Sequence, residues 1–263
     1  LDLGALADST NAAVTFDLWQ TLVFEADGTA TSMVRRESRS EQMVQRLSHL
    51  GVELELAVVR EVFNALSSEI TAGHDDGYDA PYEDWIKILV DRLAPGLAEQ
   101  IGSAEIQHIG KLVDQTFLDT PPKLLDGTKE LLAELRNRGL KIGLISNTGL
   151  TSPQTYSEWF DQLGILKGFD FLAFSNGQSV AKPDAAIFEI TLANLGIDPE
   201  RSLHVGDNMH TDVAGAGAVG MSTVWVSGGT NSPVETNTEP NYSVDSVIEL
   251  PAIVDEWLAS LGR

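Results

Sequence analysis

Hydrophobic and polar positions follow two different patterns along this chain. Short, mostly apolar runs occur at residues 12–16, 141–145, 169–174, 202–205 and 223–226. Runs of this length are typical of strands that are buried on both faces of a sheet. Helical segments are predicted at residues 127–138, 153–163, 184–195, 211–219 and 251–261. Strands that alternate with helices in this way predict a parallel sheet with helices on both faces.

The stretch from about residue 33 to residue 118 has a different pattern. Apolar residues recur there every three or four positions, and no strand-like run interrupts them. The four apolar stripes are Met43, Val44, Leu47 and Leu50; Val58, Val59, Val62, Phe63 and Leu66; Trp85, Ile86, Leu89, Val90 and Leu93; and Ile106, Ile109, Val113 and Phe117. This spacing is that of amphipathic helices. The sequence therefore predicts an all-helical domain, residues 25–119, inserted into a Rossmann-like α/β core formed by residues 1–24 and 120–263.

Composition and charge narrow the expected partners. Acidic residues outnumber basic ones 39 to 17, which gives a formal net charge of −22. Such a chain repels phosphate backbones and anionic lipids, so neither nucleic acid nor a membrane is expected as a partner. The absence of cysteine excludes disulfides, thiolate nucleophiles and cysteine-based metal sites. No run approaches the roughly 18 apolar residues of a membrane span, and residues 1–11 lack the pattern of a signal peptide, so a cytoplasmic location is expected.

Polar residues stand at the ends of the predicted strands or in the loops that follow them. They are Asp17, Ser146, Asn147, Lys182, Asp207 and Asp212. In open parallel sheets, ligands bind beyond the carboxyl ends of the strands, so these side chains are expected to converge. Three carboxylates, an amine and a hydroxyl at one edge fit a site for a divalent cation and an anion.

The ordered set of motifs resembles that of the haloacid dehalogenase superfamily, in the branch whose helical cap follows the first strand. The first motif of that superfamily is matched by Asp17-Leu18-Trp19-Gln20-Thr21, and the second by Ser146. The third is matched by Lys182, and the fourth by Gly206-Asp207 together with Asp212. Each motif alone is weak, whereas all four in order, each in its expected strand context, are specific.

The resemblance implies a hydrolase that acts on a small phosphorylated metabolite, as a monomer or a homodimer. Asp17 would be the nucleophile that forms an aspartyl phosphate. Ser146 and Lys182 would take part in catalysis, and together with Trp19 and Asn147 they would bind the substrate. The resemblance also implies Mg2+, held by Asp17, Asp207, Asp212 and the backbone carbonyl of Trp19.

Position 19 departs from the superfamily pattern. The usual residue there is a second Asp, which protonates the leaving group and then activates water, and an indole can do neither. Another group could supply the proton, such as Glu25, His210 or a residue near Asp75 and Asp76. A substrate with a good leaving group, such as an acyl phosphate, would need little protonation.

Three other interpretations of the chain stay open at this point. L-2-haloacid dehalogenases carry an aromatic residue at this position, use no metal and receive halide on an arginine, for which Arg35, Arg36, Arg39 and Arg46 are candidates. Phosphonate-cleaving members need a lysine in the cap, where Lys87 and Lys111 stand without supporting context. The third interpretation is a protein that binds a phosphorylated ligand without turnover. The complete acidic triad favours the Mg2+-dependent phosphatase.

Overall fold

The computed structural model describes residues 11–229 and 238–262. Within them, the strands are β1 (Ala13–Phe16), β2 (Val23–Phe24), β3 (Lys123–Leu124), β4 (Lys141–Ser146), β5 (Phe171–Phe174), β6 (Ser202–Gly206), β7 (Ser222–Val226) and β8 (Tyr242–Val244). Residues 1–10, which belong to the segment without a signal-peptide pattern, lie outside the described residues. In the described ranges, no helix combines the length and the apolar character that a bilayer crossing requires.

Apart from the last one, the helices of the described ranges connect these strands, singly, as a pair between β5 and β6, or as a block of four between β2 and β3. They are α1 (Ala30–His49), α2 (Leu56–Asp75), α3 (Tyr82–Leu93), α4 (Leu97–Asp119), α5 (Thr128–Asn137), α6 (Pro153–Gln162), α7 (Ser175–Gln178), α8 (Ala185–Leu195), α9 (Gly215–Ala218) and α10 (Leu250–Leu261). Helices α1 to α4 follow one another without a strand, as the apolar stripes predict.

Six strands form one parallel sheet in the order β5-β4-β1-β6-β7-β8. Strand β1 lies in the middle, hydrogen-bonded to β4 on one side and to β6 on the other. Its residues are completely buried, with Val14 and Phe16 in the main hydrophobic core. The carboxyl ends of β1, β4 and β6 are therefore neighbours. The predicted Rossmann-like α/β fold is confirmed.

Helices α1 to α4 have a hydrophobic core of their own. Met43, Leu47, Phe63 and Leu66 are buried in it, together with the aromatic ring of Trp85. This cluster is separate from the core beneath the sheet. Strand β2 precedes this block along the chain and β3 follows it. The two strands form a short antiparallel pair, with Val23 opposite Leu124. We refer to residues 30–119 as the helical block.

Several elements differ from the sequence prediction. A regular helix is predicted at residues 211–219, whereas the chain forms a π-helix at Met209–Ala214 that continues as the short α9. The Asn208 side chain accepts hydrogen bonds from the backbone N–H groups of His210 and Thr211 and so fixes the start of this π-helix. The short elements β2, β3, α7 and β8, of two to four residues each, are not predicted.

Candidate active site

Three carboxylates meet at the carboxyl edge of the sheet. Asp17 directly follows β1, Asp207 directly follows β6, and Asp212 lies in the π-helix. One oxygen from each lies within 4.8 Å of the others. Such a spacing of hard oxygen donors is compatible with a single Mg2+ ion.

Lys182 joins two of these acids. Its Nζ donates hydrogen bonds to Oδ1 of Asp17 and to Oδ1 of Asp212, each at 2.6 Å. The lysine is only 1% exposed, so these contacts are well shielded from water. Burial alone would lower the pKa of Lys182, but the two carboxylates outweigh it and raise that pKa above its ordinary value. The amine is therefore positively charged.

Asp212 is held from several sides. Its Oδ1 also lies 3.2 Å from Nε2 of His204, and its Oδ2 accepts a hydrogen bond from the backbone N–H of Asn208 at 3.0 Å. The other ring nitrogen of His204 lies 2.8 Å from the Thr15 hydroxyl. His204 was not among the sequence candidates, because it sits within an apolar run that signals only burial.

Burial and mutual repulsion set the charges of the three acids. Burial raises the pKa of Asp17 to about 6, against the opposing charge of Lys182. Burial and the charges of Asp17 and Asp212 raise the pKa of Asp207 to about 8. Burial would also raise the pKa of Asp212, but Lys182 and His204 overcome it and hold that pKa below its ordinary value. The three carboxylates are all ionised at neutral pH only if a further positive charge joins Lys182.

Asp207 is the acid best placed to receive that charge. In the described part of the chain it has no cationic side chain within 4 Å, whereas Asp17 and Asp212 both contact Lys182. Its backbone carbonyl accepts a 2.9 Å hydrogen bond from the indole N–H of Trp225, which fixes the turn after β6. An all-oxygen set with one unpaired carboxylate fits Mg2+.

The last residue of β4 and the residue after it complete the candidate site. Ser146 is fully buried, and its hydroxyl makes a long 3.4 Å contact with the Asn147 carbonyl. The Asn147 amide donates to the Lys182 carbonyl and accepts from the Lys182 N–H, both at 2.8 Å. Asn147 therefore fixes the backbone of the lysine loop, and both ends of its side-chain amide are engaged in doing so.

Trp19 lines a cavity. The cavity has a volume of about 570 Å3 and lies between the helical block and the loop after β4. Its lining includes Trp19, Glu25, Arg39 and Tyr156, but not Asp17 or Lys182. Burial raises the pKa of Tyr156 to about 12, partly offset by a hydrogen bond from the Trp19 side chain. Because Trp19 lies two residues beyond Asp17 in the first motif, the cavity begins beside the acidic cluster, although neither Asp17 nor Lys182 lines it.

The groups proposed to replace the missing acid occupy two places. Glu25 pairs with Arg35 at the cavity, and its second oxygen is buried without a hydrogen-bond partner. His210 instead contacts the helical block, because its Nε2 lies 3.3 Å from the Asp75 carbonyl. Asp76 is the exposed residue that follows α2.

The basic residues that the sequence suggests for halide or phosphonate chemistry lie in different parts of the structure. Arg36 and Arg39 line the same cavity as Arg35. Arg46 pairs with Glu105 within the helical block. The two cap lysines differ as well, with Lys87 paired to Asp84 and Lys111 lying on α4 at a second cavity. None of these residues contacts the acidic cluster in the described part of the chain.

The helical block contacts the lysine loop directly. The backbone N–H of Ala181 donates a 2.9 Å hydrogen bond to the Gly77 carbonyl. Tyr78 forms an antiparallel bridge with Val180. The residue that precedes Lys182 is therefore held by the turn that follows α2.

The motif order and the site geometry agree with a single family. The model of the haloacid dehalogenase-like hydrolases matches residues 12–220. The chain belongs to this family. The predicted superfamily and hydrolase class are thereby confirmed.

Relatives of this hydrolase include both phosphatases and dehalogenases. It is 27% identical to glyceraldehyde 3-phosphate phosphatase of Methanocaldococcus jannaschii over 241 residues, which cover 92% of this chain and 96% of that one. It is 33% identical to (S)-2-haloacid dehalogenase of Pseudomonas sp. (strain YL) over 187 residues, covering 68% of this chain and 78% of that one. A HAD phosphatase from Thermococcus onnurineus has the same fold, with a TM-score of 0.62, 24% identity and coverage of 92% and 97%.

Proposed function

We propose that this hydrolase is a Mg2+-dependent phosphatase that acts on small phosphorylated metabolites through an aspartyl phosphate. The observation that carries the proposal is the cluster of Asp17, Asp207 and Asp212 within 4.8 Å, with Lys182 bridging two of them. Three ionised acids and one amine leave a net charge of about −2, which a divalent cation can balance. The cation and Lys182 together then offer positive charge to an anionic phosphoryl group.

Asp17 is the proposed nucleophile. One of its carboxylate oxygens attacks phosphorus, forming an acyl phosphate while the bond from phosphorus to the leaving oxygen breaks. Water then attacks the same phosphorus, which releases inorganic phosphate and regenerates Asp17. The Lys182 charge reduces the repulsion between the carboxylate and the anionic substrate, and the Ser146 hydroxyl donates to a phosphoryl oxygen.

Asp17, Asp207 and the Trp19 carbonyl would contact Mg2+. Asp212 completes the triad and at the same time anchors Lys182, since both of its oxygens accept hydrogen bonds from protein groups. When bound, Mg2+ neutralises charge that develops on the transferring phosphoryl group. His204 and Asn208 keep Asp212 in place and do not contact the substrate.

Trp19 restricts the range of leaving groups. An alkoxide leaving group takes up a proton as it departs, and Trp19 has no proton to give in the accessible pH range. The aryloxide of an aryl phosphate, or the carboxylate of an acyl phosphate, leaves as a stabilised anion and needs no such acid. Substrates with good leaving groups are therefore expected to react fastest.

The decisive experiment is turnover of p-nitrophenyl phosphate, with Mg2+ and with EDTA. Wild type is expected to hydrolyse p-nitrophenyl phosphate in Mg2+ but not in EDTA, and Asp17→Asn is expected to lose this activity. The matched control is Asp161→Asn, which removes an exposed acid outside the cluster and should leave turnover unchanged. Equal rates in wild type and Asp17→Asn, or no release of phosphate in any arm, would contradict the proposal.

A 2-haloacid dehalogenase is the second candidate function. The aromatic Trp19 at the wall of an arginine-lined cavity favours it. Displacement of halide by Asp17 requires no proton donor, so this reaction tolerates the missing acid. Halide release from 2-chloro acids that continues in EDTA would support the dehalogenase and count against the phosphatase.

A further inference from the structure

The cavity at Trp19 carries a charge opposite to that of the whole protein. Its lining includes four arginines and two glutamates, which leave two positive charges in excess. The chain as a whole has a formal net charge of −22. The cavity has a volume of about 570 Å3, which is that of a typical small-molecule site. The local excess of positive charge therefore indicates an anionic occupant.

Two of these four arginines already have acidic partners. Arg35 pairs with Glu25, and Arg60 pairs with Glu37. Among the described residues, neither Arg36 nor Arg39 has a carboxylate within 4 Å of its guanidinium, but Arg36 is exposed whereas Arg39 is half-buried. The side chain stays charged, since an arginine does not lose its proton in proteins.

The hydrogen bonds of Arg39 leave one edge of the guanidinium open. Its Nε donates to the Thr116 hydroxyl and its Nη2 to the Thr151 hydroxyl, both at 3.0 Å. Two neutral hydroxyls thus fix the plane of the group without neutralising it. The edge between Nη1 and Nη2 keeps its N–H donors unpaired in the described part of the chain. That edge matches the two oxygens of a planar carboxylate.

We propose that Arg39 determines substrate specificity by binding a carboxylate at the non-reacting end of the substrate. This inference rests on the proposed function, and it defines the substrate class as small phosphorylated carboxylic acids. Trp19 and Tyr156 form the wall along which the carbon chain lies between Arg39 and the phosphoryl group. Thr151 is five residues beyond Ser146, so the same loop connects the two ends of the binding site.

Non-hydrolysable phosphonates test this assignment through binding alone. Phosphonoalkanoates with one to three methylene groups carry both anionic ends, and alkylphosphonates of equal length lack the carboxylate. Affinities are measured by calorimetry in Mg2+ for wild type, Arg39→Gln and Arg39→Lys. The control is Arg36→Gln, which removes an exposed charge from the same helix and the same cavity. Thermal unfolding checks that each variant is folded.

Wild type is expected to bind at least one phosphonoalkanoate roughly 10-fold to 100-fold more tightly than its matched alkylphosphonate. This preference should disappear in Arg39→Gln and persist in Arg36→Gln. It should fall in Arg39→Lys, because lysine keeps the positive charge but lacks the two parallel N–H donors of a guanidinium. Alkylphosphonate affinity should not change in any of these variants.

The remaining outcomes separate the two proposals. If wild type binds both phosphonate series equally, the carboxylate assignment is wrong while the phosphoryl site stands. If wild type binds no phosphonate, the proposed function fails and this inference fails with it. A preference that survives in Arg39→Gln, or that Arg36→Gln removes equally, overturns the role of Arg39. The wild-type comparison decides the substrate class even if Arg39→Gln does not fold.

Discussion

Gly206 and Asp212 approach each other so closely that residue 206 has no space for a side chain. A Cβ atom there would lie 2.3 Å from Cγ of Asp212 and 2.4 Å from its Oδ2. Gly206 is the last residue of β6 and directly precedes Asp207. The glycine therefore allows the fourth motif to place Asp212 against Lys182 and to keep Asp207 in the same carboxylate cluster.

Gly206→Ala is expected to abolish most phosphatase activity. The new methyl group displaces Asp212, which removes one anchor of Lys182, and loss of a charge-stabilising group typically costs about 10²-fold or more in kcat. The control is Gly217→Ala, whose Cβ would lie 3.8 Å from Thr238 in ordinary contact. Steady-state kinetics of both variants tests this. If Gly206→Ala had the same kcat as wild type, catalysis would not depend on the observed position of Asp212.

Mg2+ is expected to stabilise the folded protein through Asp207. A ligand at 100 times its Kd stabilises the native state by about 2.7 kcal/mol, or roughly 5–10 °C in Tm for a chain of this size. Asp207→Asn should lose this shift, because it removes the carboxylate that lacks a cationic partner. Calorimetric melting with Mg2+ and with EDTA measures the effect, and Asp161→Asn should keep the full shift. An equal shift in Asp207→Asn would exclude this residue as a metal ligand.

Trp19→Asp is expected to restore the missing acid and base. Turnover of an alkyl phosphate should rise by roughly 10²-fold or more, and that of p-nitrophenyl phosphate should rise less, because its leaving group needs little protonation. Trp19→Phe is the control for the lost indole contact with Tyr156. If Trp19→Asp folds and is no faster on alkyl phosphates, the role assigned to position 19 is wrong.

The same missing base should make the covalent intermediate persist. Wild type mixed with acetyl phosphate and Mg2+ is expected to gain about 80 Da, the mass of one phosphoryl group on Asp17. Intact-protein mass spectrometry detects this adduct. Asp17→Asn should show no gain, and Trp19→Asp should lose the adduct faster than wild type. A gain that survives in Asp17→Asn would place the phosphoryl group elsewhere.

Asp114 provides a pH-dependent prediction away from the acidic cluster. Its Oδ1 accepts a 2.8 Å hydrogen bond from the Ser152 N–H, and burial raises its pKa above the ordinary value of 3.8. An acid with a raised pKa in the folded state costs stability as pH rises from about 4 toward that raised value. Asp114→Asn, which keeps an acceptor oxygen, should therefore be more stable than wild type at pH 7, with a difference that shrinks toward pH 4. Urea unfolding at both pH values measures it, and a constant difference would contradict the sign.

Connectivity explains why so much of the site could be predicted. Asp17 and Lys182 are far apart in sequence, yet both follow strands of one parallel sheet, and such strands present their carboxyl ends at one edge. The predicted parallel sheet thus accounts for both residues lying at one edge, whereas the 2.6 Å contact between their side chains is known only from the structure.

The unpredicted parts depend on side-chain packing between distant segments. Arg39 meets Thr116 and Thr151, which lie 77 and 112 residues further along the chain. No local periodicity encodes such a three-way contact, so the sequence names Arg39 only as one of four arginines. His204 supports Asp212 from inside a strand, where an apolar run signals burial and not function.

The hydrogen bond from Ala181 to Gly77 makes the helical block part of the support of the lysine loop. The donor is the residue directly before Lys182, and the acceptor lies in the turn that follows α2. A change in that turn therefore alters the backbone beside the lysine that contacts Asp17. Substitutions in the helical block, far in sequence from all four motifs, are in this way able to change the charge balance of the candidate site.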